Sequence, residues 1–321
     1  MIISEIEAAA AVLAAGGLVG FPTETVYGLG ANAADPKAIA AIYALKGRPT
    51  NHPVIVHLHR SAVILDWASD IPAYAYALIE AVWPGPLTLV LPRAAGVSDA
   101  ITGGQNTVGL RCPAHPLAQA LLQACLARGV PGLAAPSANR FGRVSPTTAA
   151  HVRQEFGATL PLLDGGPCQV GIESTIIDCS AAAPVLLRPG AVSAAQISAI
   201  TGLAVQTAHV ASPRASGGLP AHYQPATPVA LIRDLRAVGP QPEAALYAKT
   251  KPVHFLGQYR PAPANAAAYA QDLYAALRAL DALHCQQLLI EIPGAGAQPI
   301  EHSLWLAVLD RLQRAASVVA I

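Results

Sequence analysis

The residues able to do chemistry in this chain sit in short loops that follow apolar runs. Gly17–Ala31 reads GLVGFPTETVYGLGA. An apolar start, Leu18 to Phe21, breaks at Pro22 into Thr23-Glu24-Thr25, and Tyr27, Gly28 and Gly30 close the segment. Small polar residues and glycine after a strand expose hydroxyls and backbone N–H groups to a ligand. Lys46-Gly47-Arg48-Pro49 then adds two cations without carboxylates close by in sequence. Lysine acts as a point charge and arginine as a fork for phosphate or carboxylate. Alone, such a turn also reads as a solvated loop; beside Thr23–Gly30 it reads as an anion site, with phosphate the leading ligand.

Other loops and strands carry the same residue types. In Thr107-Val108-Gly109-Leu110-Arg111, period-two alternation puts Thr107, Gly109 and Arg111 on one face, a binding face rather than a core face. A surface ion pair for Arg111 is the alternative. In Val54–Leu58, His57 and His59 share a face with Ile55, and a buried, hydrogen-bonded histidine is the plainer reading of His57. Pro136-Ser137-Ala138-Asn139 follows another apolar strand, and Ser145-Pro146-Thr147-Thr148 opens a helix, with Ser145 as its cap and Pro146 in its first position. The two roles agree, since helix N-termini attract phosphate. Gly171-Ile172-Glu173-Ser174-Thr175 is a third loop of this kind, and Arg188 ends the run Val185-Leu186-Leu187. The chain has no GxxxxGK[ST] loop, no GxGxxG after a strand and no GxSxG elbow. A site of hydroxyls and cations without its own nucleophile suits chemistry in which substrates supply the nucleophile and the protein positions anions.

These residues need elements to hold them. The chain has 321 residues, enough for two domains that each bury a core. Residues 1–205 alternate helical and strand-like patterns: a helix near Glu5–Ala15, the opening strand, a helix over Pro36–Lys46 that ends on a cation suited to its dipole, and strands at Val54–Leu58, Leu87–Leu91, Thr107–Arg111, Leu160–Leu163 and Ser174–Asp178. Residues 206–228, with Ser212–Pro220 rich in proline, glycine and serine, read as a linker. Residues 229–321 read as a smaller domain with strands at Val229–Ile232, Ala245–Tyr247 and Leu288–Ile292. Its helices span Asn265–Leu283, with Tyr269, Leu273, Leu277 and Leu280 on one face, and Ser303–Ala316. The net charge is +1, with 12% of residues charged, so nothing global favours nucleic acid. No apolar stretch reaches the length of a membrane span. Met1-Ile2-Ile3-Ser4-Glu5 is acidic and is not expected to act as a secretory signal. The five cysteines show no CxxC pair and are expected to be reduced thiols of a cytoplasmic protein. The ten histidines form no metal-ligand spacing, so no metal ion held by protein side chains is expected.

Taken in order, PTETVYGLGANA, KGRP with PVIVH, TVGLRCP, APSANRFGRVSPT, DGG with GIESTIID, and LRPG resemble the threonylcarbamoyl-AMP synthase (YrdC-like) family, over nearly all of residues 1–200. The remainder resembles the extra domain of two-domain members, through Ser212–Gly217, His222-Tyr223-Gln224-Pro225 and Arg311–Ala316. Gln224 stands where alanine is more usual, and the linker before His222 is longer than in many relatives. The resemblance implies an α/β fold: a YrdC-like twisted mixed sheet with helices around a concave site, plus a smaller α/β, Rossmann-like domain. It implies a nucleotidyltransferase that makes threonylcarbamoyl-AMP and pyrophosphate from L-threonine, bicarbonate and ATP with Mg²⁺, for the N6-threonylcarbamoyladenosine mark of tRNA. A separate transferase complex would take the product onward. By motif, Thr25, His57, Arg111, Ala135 and Thr175 hold threonine, with Arg111 on its carboxylate. Arg48, His52, Thr107, Ser137, Ser145, Arg188 and Tyr223 hold the nucleotide, with Lys46 on its phosphates; Thr50 or Asn51 could stand in for His52. Lys46 and Arg48 carry the catalytic role. Tyr223 lies in the linker, which implies a lid that folds over the nucleotide and keeps water from a mixed anhydride. Two further readings are an RNA-binding module built on KGRP, which leaves room for a weak tRNA contact, and a carbamoyl-transfer domain like that of hydrogenase maturation proteins. The segments that would accompany the latter are absent from this chain.

Overall fold

The computed structural model describes residues 2–219, 221–293 and 303–317. Met1, Pro220, 294–302 and 318–321, which fall within the expected domain and linker ranges, lie outside them. The first domain is built on β1 (Val19–Phe21), β2 (Gly28–Asn32), β3 (Ile55–His57), β4 (Leu87–Pro92), β5 (Thr107–Arg111), β6 (Leu133–Ala134), β7 (Thr175–Asp178), β8 (Val185–Arg188) and β9 (Gln206–Thr207). They form one sheet in the order β1-β2-β6-β3-β5-β4-β7-β8-β9. The pairs β3/β5, β4/β7 and β8/β9 are parallel and the others antiparallel, so the sheet is mixed, as expected. Helices α1 (Ile2–Ala14), α2 (Pro36–Lys46), α3 (Ala73–Val82), α4 (Asp99–Thr102), α5 (Pro116–Leu126), α6 (Ala149–Phe156) and α7 (Ala194–Thr201) accompany it.

Local chemistry explains the elements that carry the site. Asp35 caps α2 by accepting from the Lys37 N–H, Pro36 occupies the first position, and Gly47 ends the helix at φ 64°. That left-handed residue turns the chain between Lys46 and Arg48. Strand β2 contradicts the reading of Gly28 and Gly30 as turn residues. A Cβ there would sit 3.1 and 2.9 Å from the Phe21 ring, so the glycines let that ring lie across the β1/β2 pair. Ser145 caps no helix; Thr148 does, accepting from the His151 N–H before α6 starts at Ala149. The Ser145 hydroxyl is instead committed to Glu173. Leu160–Leu163 forms no strand: Leu162 makes one isolated bridge to Gly20.

The second domain has β10 (Val229–Ile232), β11 (Ala244–Ala248), β12 (Gln258–Pro261), α8 (Ala266–Asp281), β13 (Gln287–Glu291) and α9 (Ser303–Ala315). Its sheet, β10-β13-β11-β12, is parallel throughout, the βαβ arrangement expected of a Rossmann-like unit. Tyr269, Leu273, Leu277 and Leu280 of α8 are buried in its core. The same core takes in Val26, Val144 and Ile172 from the first domain and Tyr223 from the linker. Gly171, at φ 81°, lies so close to α8 that a Cβ would fall 2.3 Å from the Gln271 Cα. Arg278 of α8 donates to the Val144 carbonyl and pairs with Glu155 of α6 at 2.8 Å. The domains therefore meet across packed apolar and ionic contacts. The first linker residues, β9, extend the catalytic sheet; later ones run back over it.

Candidate active site

A cleft opens between the ends of the first domain's strands, the linker and the Glu173 loop. One wall is the Thr23–Tyr27 turn. The Thr23 hydroxyl donates to the Val26 carbonyl (2.6 Å) and accepts from the Val26 N–H (3.2 Å), a hydroxyl-closed turn that fixes Thr25. Arg111 reaches it from β5: Nη1 donates to Thr25 Oγ1 (2.8 Å), Nη2 to Glu24 Oε1 (2.6 Å) and Nε to the Gly85 carbonyl (3.3 Å). Three of its five N–H groups are used, so two are left for a ligand. His57 lies on the neighbouring strand, opposite Arg111 in register. Burial and then the Arg111 charge push its pKa down to about 3, so it is a neutral imidazole, and Nδ1 has no partner among the described residues. Ala135 completes this wall, its N–H given to the Ile55 carbonyl.

The other wall is cationic. Lys46 donates to the Ser137 carbonyl (2.6 Å) and to the Asn139 carbonyl. Arg48 donates to the Pro53 carbonyl (2.8 Å), lies over the Phe141 ring, and reaches the linker at Ser216. Arg188 donates to the Ser174 carbonyl (3.1 Å), the Ser174 hydroxyl (3.1 Å) and the Ser216 carbonyl (2.9 Å). All three are buried, and none has a carboxylate ion-pair partner among the described residues. Burial drives the Lys46 pKa well below the ordinary lysine value, with the Arg48 charge adding to it. Buried unpaired charge is expensive, so a cluster of this kind calls for an anion.

The linker closes the cleft. Gln105 accepts from the Arg214 N–H (2.6 Å) and donates to its carbonyl (3.1 Å), and Ser216 Oγ donates to the Pro53 carbonyl (2.8 Å). His222 and Tyr223 enter from above. Tyr223 is buried at φ 61°, its ring stacks on Tyr274 at 5.5 Å, and its hydroxyl has no partner among the described residues.

The site residues expected from sequence separate into three groups. Thr25, Lys46, Arg48, His57, Arg111, Ala135, Ser137, Arg188 and Tyr223 line the cleft together. Thr107 lines a small adjoining recess that meets the cleft at Ile55 and Ser216, and its buried hydroxyl has no partner among the described residues. Thr175, Ser145 and His52 do not line the cleft. The Thr175 hydroxyl exchanges hydrogen bonds with the Val192 backbone (2.7 and 3.0 Å), and Ser145 Oγ donates to Glu173 Oε1 (2.6 Å). His52 is half-buried with its ring edge on Phe141.

Family profiles match both parts of the chain. One, described as telomere recombination, covers residues 11–190, and one for the C-terminal domain of threonylcarbamoyl-AMP synthase covers 192–317. The threonylcarbamoyl-AMP synthase of Pyrococcus abyssi is 37% identical over 97% of this chain and 94% of its own. The chain belongs to the threonylcarbamoyl-AMP synthase family. The Bacillus subtilis synthase is 43% identical over 71% of this chain and 66% of its own. The crystal structure of P. abyssi Sua5 complexed with L-threonine superposes with a TM-score of 0.86 at 34% identity, over 98% of this chain and 96% of that one.

Within this two-domain synthase, sequence reasoning passed over Glu24, Glu173, Phe141 and His222 as site residues. Each lies inside a segment that carries the family resemblance, and that membership was the signal available. Arg311 lies in the Arg311–Ala316 segment that carries the resemblance, but nothing local ties it to the cleft, since it comes from α9 in the other domain. Glu173 accepts from Ser145, from the Tyr274 hydroxyl (2.8 Å) and from Arg311 Nε (3.2 Å). Burial alone would raise its pKa, but Arg311, Arg188 and Ser145 outweigh it and hold the carboxyl down at about 2. No helix among the described residues is long and apolar enough to cross a membrane.

Proposed function

We propose that this cleft joins L-threonine, bicarbonate and ATP into threonylcarbamoyl-AMP and pyrophosphate. Threonine sits on the Thr25–Arg111–His57 wall, its carboxylate on the two free N–H groups of Arg111. The triphosphate lies along Lys46, Arg48 and Arg188, with Ser137 and Tyr223 beside the nucleotide and Thr107 in the adjoining recess. The amine attacks the carbon of bicarbonate or its CO₂ equivalent, with loss of the bicarbonate oxygen as water. A carbamate oxygen then attacks the α-phosphorus, and the bond to the β-phosphate oxygen breaks to release pyrophosphate. Both nucleophiles belong to substrates, so the residues here bind, orient and exclude water. A neutral His57 can accept a hydrogen bond from the threonine amine or hydroxyl without repelling an ammonium.

The observation that carries this reading is the set of three buried cations without carboxylate partners among the described residues, facing a hydroxyl turn across one cleft. Glu24 and Glu173, the carboxylates in contact with site residues, are each taken by an arginine. Mg²⁺ therefore enters on ATP phosphate oxygens and water rather than on protein carboxylates. The product, a hydrolysable mixed anhydride, passes to a tRNA-modifying transferase complex in the cytoplasm. Incubation with ATP, bicarbonate and L-threonine is expected to release pyrophosphate only when all three are present; ATP turnover indifferent to threonine would overturn the assignment.

A further inference from the structure

We propose that Arg311, on the last helix of the C-terminal domain, is a positioning residue of the nucleotide site: it cancels the charge of Glu173 and holds the three segments that surround the phosphates. This rests on reading the cleft as the ATP site. Arg311 is 1% exposed and is the largest fully buried side chain of the described residues. Its Nε donates to Glu173 Oε2 (3.2 Å), Nη2 to the Glu173 carbonyl (3.4 Å) and Nη1 to the Pro189 carbonyl (2.6 Å). The Pro189 carbonyl directly follows Arg188, and the face of the Tyr223 ring lies 5.8 Å from the guanidinium carbon. One side chain from the second domain thus touches the Glu173–Ser174 loop, the Arg188 strand end and the linker tyrosine. All three line the cleft.

The electrostatic part follows from what Glu173 is doing there. A carboxylate facing a cleft built for a triphosphate repels its ligand unless it is neutralised. Ser145 and Tyr274 supply hydrogen bonds but no charge. The formal positive charge in direct contact with the Glu173 carboxylate is Arg311, approaching on the side of the second domain. Asp310, which also contacts Arg311, is shared with Arg314 at 2.8 Å. The C-terminal domain therefore contributes a charge, and not only a cover, to a site whose other cations come from residues before the linker. Lysine in place of Arg311 would keep the charge but lose the fork that reaches Glu173 and Pro189 together.

The test compares ATP and threonine affinity in Arg311→Met, Glu173→Gln and the double variant, by calorimetry and by pyrophosphate release. Methionine keeps much of the buried stem and removes the charge. Arg311→Met is expected to raise KM for ATP by roughly tenfold or more, as when one partner of a buried charge pair is truncated, with KM for threonine within about threefold of wild type. Adding Glu173→Gln is expected to bring the ATP value back to within about fivefold of wild type, because a neutral amide needs no counter-charge. An Arg311→Met protein that binds ATP as wild type does, or an ATP defect that Glu173→Gln leaves untouched, would overturn the proposal. If Arg311→Met alone does not fold, the double variant against Glu173→Gln decides: similar ATP affinity supports neutralisation, and a tenfold loss refutes it. Wild-type protein that binds no ATP would refute the reading of the cleft itself, a result separate from these.

Discussion

Tyr223→Phe separates ligand recognition from fold maintenance, because the two predict opposite signs. The Tyr223 hydroxyl is buried without a hydrogen-bond partner among the described residues, while its ring stacks on Tyr274 and lies edge-on to His222 at 4.1 Å. Burial, with the Glu173 charge adding to it, pushes its pKa up to about 12, so it stays a neutral donor across the working range. Phenylalanine keeps the ring contacts and removes only the orphan oxygen. An unsatisfied buried polar group costs about 1–3 kcal/mol. Its removal should therefore stabilise the ligand-free protein by about 1 kcal/mol, a rise of roughly 2–4 °C in Tm. A hydrogen bond from the same hydroxyl to an ionised ATP oxygen is worth about 1.5–3 kcal/mol, so KM for ATP should rise roughly ten- to a hundredfold. The assay is thermal melting without ligand beside pyrophosphate release at saturating threonine and bicarbonate. A variant with lowered Tm and unchanged KM for ATP would show that the hydroxyl serves the fold, and the reasoning from its missing partner would fail.

Other perturbations bear on charge and on domain docking. The lowered Lys46 pKa fixes a sign for pH: the unfolded lysine keeps its proton to higher pH than the folded one, so ligand-free stability rises with pH across the window between the two values. A bound phosphate favours the protonated amine, so pyrophosphate affinity measured by calorimetry should fall over that same window, and Lys46→Met should flatten the fall. Gly171→Ala should destabilise by roughly 2–4 kcal/mol through overpacking and left-handed strain, since its Cβ would meet the α8 backbone at 2.3 Å. Gly202→Ala, at φ 70° and ψ 7° with open space around it, should lose only about 1–2 kcal/mol, both variants being read by denaturant titration. Deleting residues 212–321 removes Tyr223 and Arg311 and uncovers Val26, Val144 and Ile172. Threonine-dependent pyrophosphate release should vanish, and threonine affinity should weaken too, because Val26 adjoins Thr25; unchanged threonine binding would place the turn's support elsewhere.

The parts of this molecule that were legible in sequence are those whose cause is local. The α2 boundaries follow from Asp35, Pro36 and Gly47, and the β5 face from alternation, with Thr107, Gly109 and Arg111 turned toward the cleft and its recess. Strand β2 was not legible, because its glycines hide a strand that only Phe21, across the pair, completes. Ser145 fitted a cap by type and spacing, yet its partner is Glu173, twenty-eight positions on. Lys46 and Arg48 could be recognised as cations lacking a local acid. That they are buried, and that Arg188 joins them, depends on strand order and on a linker that returns over the sheet.

The distribution of acids explains why the second domain is packed into the first rather than tethered to it. A cleft for a triphosphate needs bare cations, and a buried bare cation destabilises the empty protein. Nearby carboxylates would relieve that strain but would also occupy the phosphate site. Among the described residues, each of the two acids that contact cleft-lining side chains is held by an arginine of its own: Glu24 by Arg111 from β5, and Glu173 by Arg311 from α9. Among the described residues, Lys46, Arg48 and Arg188 are left without carboxylates and rest on backbone carbonyls, hydroxyls and the Phe141 ring, which bind a cation without cancelling it. Arg111 differs from those three because threonine's carboxylate must share it with Glu24 through the two N–H groups that remain. Glu24→Gln would thus strengthen threonine's hold on Arg111 while loosening the turn, whereas Glu173→Gln would act on ATP alone. The two acids look alike in sequence, each one residue from a threonine or serine of a binding loop. Which substrate each governs is decided by the arginine that reaches it, and one of those arginines belongs to the C-terminal domain.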